Sequence, residues 1–112
     1  MTFQLNGNSV MITYSGIPER LDRHEFAHLL QRKCDNLIIG EERAPTTGKR
    51  HFHAVVYKRS GFDVTSPRHF YIDGRQGHMK RVWGLEGAIA YATKGGDIFY
   101  NTMNVRYLRE SY

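Results

Sequence analysis

The spacing of apolar positions changes several times along the chain, and each change marks an element. Residues 8–16, "NSVMITYSG", hold Val10, Met11, Ile12 and Tyr14 in a nearly continuous apolar run closed by Ser15-Gly16. Such a run predicts a strand covered on both faces. Residues 18–34, "PERLDRHEFAHLLQRKC", switch to helical spacing, with Phe26, Leu29 and Leu30 as the inward stripe and Asp22 with Glu25 as a capping pair. Residues 35–42, "DNLIIGEE", form a second strand, and the turn-rich "RAPTTGKR" (43–50) leads as a hairpin into a third, 51–58. Residues 59–71 read as irregular, with Ser66-Pro67 opening a short helix, and Asp73-Gly74 marks a turn. "HMKRVW" (78–83) is a short basic strand, "LEGAIAYATK" (85–94) a helix stopped by Gly95-Gly96, and a last short strand falls within 97–108. Strands joined by hairpins with helices inserted predict an α+β fold: an antiparallel sheet of about five strands flanked by helices.

A chain of 112 residues makes one domain, 1–112, and its 40% apolar and 24% charged residues are an ordinary globular balance. The net charge of +5 and pI of about 9.6 point to a polyanionic partner. One cysteine, Cys34, excludes an internal disulfide and fits a reducing compartment, where its place at a helix end suits packing rather than nucleophilic attack. No apolar run reaches membrane-spanning length, so no membrane partner is expected. The first ten residues carry no signal-peptide pattern, and no repeat or low-complexity segment is visible.

The candidate chemistry centres on "HFH". On a strand, His51 and His53 point to one face, roughly 7 Å apart, where two imidazoles can converge on a cation. By itself the pair also fits two polar residues of a strand end. The hairpin returning from "GEER" adds a carboxylate, because it sets the end of one strand beside the start of the next. Alternation lets only one of Glu41 and Glu42 share the histidines' face. Two histidines and one carboxylate with open positions suit a divalent ion that also takes a substrate oxygen: Mg²⁺ or Mn²⁺, with Zn²⁺ able to bind in vitro. Farther on, Tyr91 and Lys94 stand i, i+3 on one helical face. Leu85, Ala88, Ile89 and Ala92 form the core stripe beside them, and Gly87 leaves the surface next to the phenol uncrowded. Basic and aromatic residues interleave from Arg43 to Arg81, a pattern that suits a phosphate backbone and unpaired bases. "TTGKR" lacks the glycine and hydroxyl of a phosphate-binding loop, so no ATP hydrolysis is expected.

In this order, "VMITYS" (10–15), "GEER", "HFHAVV" (51–56) and "YATK" (91–94) resemble the motifs of the HUH endonucleases, more narrowly the nuclease domain of replication initiator (Rep) proteins of small circular single-stranded-DNA viruses and rolling-circle plasmids. The resemblance implies a ferredoxin/RRM-like HUH fold, and an enzyme that nicks and rejoins single-stranded DNA at an origin stem-loop through a 5′-phosphotyrosine. It implies Tyr91 and Lys94 as catalytic residues. It places Glu42 (rather than Glu41), His51 and His53 on Mg²⁺ or Mn²⁺. DNA contacts are expected at Thr13, Tyr14, Lys49, Arg50, Arg68, Phe70, Tyr71, His78, Lys80 and Arg81. Self-association in a longer Rep, and a host nucleus or a bacterial cytoplasm as location, belong to the same expectation. Val10 departs from the aromatic residue that often opens the first motif, and the 112 residues hold no helicase segment of the kind many viral members carry downstream. Relaxases usually carry a third histidine, which is not seen here. A single-tyrosine transposase and a non-catalytic single-strand-binding module are the competing readings.

Overall fold

The computed structural model describes residues 3–103, which form seven elements: β1 (Leu5–Tyr14), α1 (Arg23–Gln31), β2 (Asn36–Arg43), β3 (Arg50–Val64), β4 (His78–Arg81), α2 (Leu85–Thr93) and β5 (Asp97–Asn101). The five strands make one sheet in the order β4-β1-β3-β2-β5, and every neighbouring pair is antiparallel. The α+β architecture expected from the sequence is therefore present.

Because β1 and β2 both run antiparallel to β3, they are parallel to each other, and α1 is the crossover between them. The second crossover, through α2, runs from edge strand β4 to the opposite edge, β5. Both move in the same lateral direction, but they start from strands of opposite sense. Connections of this kind are almost always right-handed, which places the two helices on opposite faces, and their packing agrees. Phe26, Ala27 and Leu30 of α1 pack on Val10, Ile12, Tyr14, Leu37, Ile39, Phe52, Ala54 and Val56. Ile89 and Ala92 of α2 pack on Ile38 and Val55. The sheet residues divide strictly by parity, as a strand with both faces covered requires.

Several expected boundaries shift. The first helix starts at Arg23 rather than at residue 18, because Asp22 is its N-cap: it is extended (φ −75°, ψ 107°) and its carboxylate accepts from His24 N and Glu25 N at 3.0 and 3.3 Å. Residues 59–64, expected to be irregular, continue β3. The register against β1 shifts between Gly7↔Phe62 and Ser9↔Tyr57, and the Asn8 amide fills the break by donating to the carbonyls of Lys58 and Arg59. Gly61, at φ +85°, takes the left-handed turn of this bulge, and alternation resumes with Phe62 and Val64 in the core. The short helix expected at Ser66-Pro67 is instead a run of turns over residues 66–70, and Asp73-Gly74 closes a tight turn bridged by Ile72 and Arg75. The last strand ends at Asn101, and positions 104–108 of its expected span lie outside the described residues. Among the described residues no helix is long and apolar enough to cross a membrane.

Candidate catalytic site

Register decides which side chains meet. Glu42 pairs across with His51, Gly40 with His53, and His53 with Thr13 on its other side. Directly paired residues share a face, so Glu42, His51, His53 and Thr13 all lie on the face that α2 covers. Glu41 lies on the other face and is fully engaged there. Its carboxylate accepts from Arg50 Nε at 2.9 Å and from Arg23 Nη1 at 3.3 Å, and stands 3.8 Å from Arg43 Nη2. Alternation therefore excludes Glu41 from the histidines and leaves Glu42, which the geometry now selects independently of any resemblance.

Glu42 has a different environment. Its Oε2 is buried without a hydrogen-bond partner and lies 3.8 Å from His53 Nε2, while its Oε1 lies 3.9 Å from Lys94 Nζ. His53 is almost wholly buried, and its Nδ1 is 3.2 Å from Thr13 Oγ1. Burial holds the His53 pKa below its ordinary value; the Glu42 carboxylate opposes that shift, and Lys94 and His51 reinforce it. A neutral imidazole tethered at Nδ1 and open at Nε2 is in the form a metal ligand requires. Two ligands of one ion at about 2.1 Å each stand no more than about 4.2 Å apart, and the Glu42–His53 pair falls inside that limit. Its orphaned carboxylate oxygen fits a cation. His51 shares the face and the register; among the described residues no three histidine, cysteine or carboxylate side chains are gathered at coordinating distance.

Helix α2 brings the tyrosine to this point. The Tyr91 ring lies 5.5 Å from the His53 ring, edge to face, and Lys94 Nζ sits 4.1 Å from the Tyr91 ring centre. Tyr91 is 45% exposed, so the phenol is accessible to a large substrate. Two glycines permit the approach. A Cβ on Gly40 would stand 2.6 Å from the Ala92 carbonyl oxygen, and one on Gly95 would stand 3.1 Å from the Glu41 carbonyl oxygen and 3.4 Å from Glu42 Cβ. The helix thus rests directly on the backbone of β2. Gly87 has nothing within 4 Å of a built Cβ, the open surface expected beside the phenol.

The residues expected to contact nucleic acid divide into two groups. Lys49, Arg68, Tyr71, His78, Lys80 and Arg81 are exposed, and Arg68 lies over the Tyr71 ring at 4.9 Å. Thr13 is half-buried and engaged with His53. Tyr14, Phe70 and Arg50 correct the expectation, because they are buried and cannot meet a ligand directly. The Tyr14 hydroxyl donates to the Phe70 carbonyl at 2.6 Å, its ring packs against Phe26, and burial raises its pKa far above the usual phenol value. Phe70 is wholly inside the core. Arg50, beyond its bond to Glu41, donates to the carbonyls of Pro18 and Leu21 at 2.8 and 3.2 Å. Thr13 as the support of His53, and Gly40 as the seat of α2, have roles the sequence did not reveal. Both depend on which strand lies alongside, and no local pattern carries that.

No model of a known protein family matches this chain, and no curated protein matches it.

Proposed function

We propose that the chain is a metal-dependent endonuclease and strand transferase of single-stranded DNA, acting through Tyr91 as nucleophile in the manner of Rep-type HUH enzymes. One observation carries the reading. A buried carboxylate oxygen of Glu42 has no partner and faces His53, while an accessible tyrosine and a lysine from α2 stand against the same two side chains.

Glu42, His53 and His51 would hold the divalent cation, which when bound supplies Lewis-acid polarisation of the scissile phosphate. Thr13 fixes the His53 ring through Nδ1. The Tyr91 oxygen attacks phosphorus in line. A phosphorus–tyrosine bond forms, the bond to the 3′-oxygen breaks, and the phenol proton ends on that oxygen as a free 3′-hydroxyl. Lys94, placed between the Tyr91 ring and Glu42, stabilises negative charge on the phenolate or the phosphate as it develops. Since the phosphotyrosine retains the phosphodiester's energy, a later 3′-hydroxyl can reverse the step and join ends without ATP.

The test is a denaturing gel of the chain mixed with origin-like stem-loop oligonucleotides and Mn²⁺. A covalent protein–DNA band is expected, lost in Tyr91→Phe and in His53→Ala, with single-strand binding retained by the His53 variant. Absence of any band across a randomised oligonucleotide pool, or normal cutting by His53→Ala, would overturn the reading.

A further inference from the structure

Trp83 is the chain's only tryptophan, and it is 88% exposed. A ring of this size usually hides most of its surface, yet this one stands in water between the end of β4 and Gly84, the N-cap of α2. The Arg81 guanidinium lies over it, 5.2 Å from the ring centre. The segment it ends, "HMKRVW", carries His78, Lys80 and Arg81 exposed and contains no carboxylate. Strand β4 is a sheet edge, bonded on one side to β1. His78 pairs with Thr13, which pairs with His53. His78 and Lys80, paired with Thr13 and Met11, therefore continue the face of the candidate catalytic site along the sheet edge toward Trp83, while Arg81, paired with the core residue Val10, belongs to the other face and reaches the ring from there.

We infer that Trp83 is a base-stacking platform for the single-stranded polynucleotide whose phosphate Tyr91 attacks, with His78 and Lys80 tracking the backbone between and Arg81 supplying positive charge at the ring itself. The inference rests on the function proposed above and adds a subsite to it. The chemistry fits this occupant. A flat ring accepts any unpaired base, and neighbouring cations neutralise phosphates. Lys80 and Arg81 lie exposed beside the ring with no carboxylate in the segment, so an occupant that presents both a flat ring and phosphates satisfies all three side chains at once. Six helical residues, 85–90, lie between the end of this segment and Tyr91, so the helix rises about 9 Å from Leu85 to Tyr91, or two to three nucleotides at the ~3.4 Å spacing of a stacked strand. The platform holds a base a few nucleotides from the scissile phosphate, and so fixes which phosphate reaches the phenol.

A sole tryptophan makes the test direct. The full chain is titrated with a single-stranded oligothymidylate in EDTA, so that no cleavage occurs, while tryptophan emission is followed. Saturable quenching is expected. The Trp83 variants, which have no tryptophan left, are read by the fluorescence anisotropy of a dye-labelled oligothymidylate: Trp83→Ala should bind about 5- to 150-fold more weakly than the parent in that assay, the range for loss of one stacked base, with Trp83→Phe retaining most of the affinity. An oligonucleotide that binds without changing the emission, an alanine variant that binds as tightly as the parent, or equal quenching by a blunt duplex would each overturn the platform. The two readings can fail separately. Quenching with the alanine loss but no covalent adduct leaves the platform standing and removes the nuclease. An adduct formed while emission stays unmoved does the reverse.

Discussion

The seat of α2 on β2 makes a prediction that needs no assumption about chemistry. A Cβ on Gly40 would lie 2.6 Å from the Ala92 carbonyl oxygen, with the Asp97 carbonyl oxygen at 3.6 Å. Close carbon–oxygen contacts settle near 3.3 Å or above, so the last turn of α2 must retreat by roughly 0.7 Å. Backbone must move, since no flexible side chain is there to yield. Overpacking of this kind costs about 1–3 kcal/mol, partly offset by about 0.4–1 kcal/mol from a stiffer unfolded chain. Gly40→Ala is therefore expected to lose about 1–2 kcal/mol, a melting temperature lower by about 4–8 °C for a domain of this size. The same retreat displaces Tyr91, the residue before Ala92. A 1 Å misplacement of a reacting group can cost about 100-fold in rate, so, on the function proposed above, the variant's covalent adduct should be lost well before its fold. The control is Gly87→Ala in the same helix, where a Cβ meets nothing within 4 Å. It should gain up to about 1 kcal/mol in helix propensity. Urea denaturation followed by circular dichroism reads both variants. A Gly40→Ala protein as stable as the parent, or a Gly87→Ala protein destabilised to the same degree, would refute the packing argument.

Thr13→Val keeps the shape of the side chain and removes the bond to His53 Nδ1; Mn²⁺ affinity measured by calorimetry should fall about 10- to 100-fold, with Thr13→Ser close to the parent, and unchanged affinity in the valine variant would refute the support role. His53 and His69 are both held below their ordinary value of 6.5, chiefly by burial, so the unfolded chain binds those protons more readily than the folded one. Their stabilisation is complete above about pH 6.5 and is lost as pH falls through the folded values; urea midpoints should drop between about pH 7.5 and about pH 5, the drop should shrink in His69→Gln, and a flat profile would refute the linkage. The Cys34 thiol, half-buried, is pushed up to about 12, first by burial and then by Asp35, so a disulfide reagent near neutral pH should label the native chain much more slowly than the unfolded one; equal rates would contradict the raised pKa.

What the sequence showed was whatever repeats with a fixed period. The alternation of "HFHAVV" put His51, His53 and Val55 on one face and Phe52, Ala54 and Val56 on the other, and the structure keeps both sets. The helical stripe of Ile89 and Ala92 under α2 was visible in the same way. Three kinds of information were not. A bulge interrupts period, so the break at Gly61 concealed the return of alternation at Phe62 and Val64. A helix start is set by the cap and not by the polar residues before it: Asp22 was legible as a capping residue, yet the expected helix begins at residue 18, four residues ahead of it. And exposure is not a local property: Tyr14, Arg50 and Phe70 have the chemistry of nucleic-acid contacts, yet each is consumed inside the fold, whereas Trp83 sits outside it.

The adjacent glutamates show how a strand divides structural from chemical work. Glu41 and Glu42 are one residue apart and equally charged, and arginines surround the end of β2. Parity gives the arginines to Glu41. Arg23 of α1, Arg50 of β3 and Arg43 of β2 itself converge on it, tying helix to sheet on the core side. Glu42, turned to the other face, finds no arginine; its nearest cation is Lys94 at 3.9 Å, beyond hydrogen-bonding range. A buried polar atom left without a partner costs about 1–3 kcal/mol, more when charged, and the fold tolerates that cost beside a neighbour whose identical group is saturated. Had stability alone shaped this end of the strand, an apolar residue over His53 would serve better. A carboxylate oxygen kept unsatisfied beside an imidazole, with a lysine at the other oxygen and a phenol ring against both the imidazole and the lysine, is the feature on which the proposed binding of a cation and a phosphate rests.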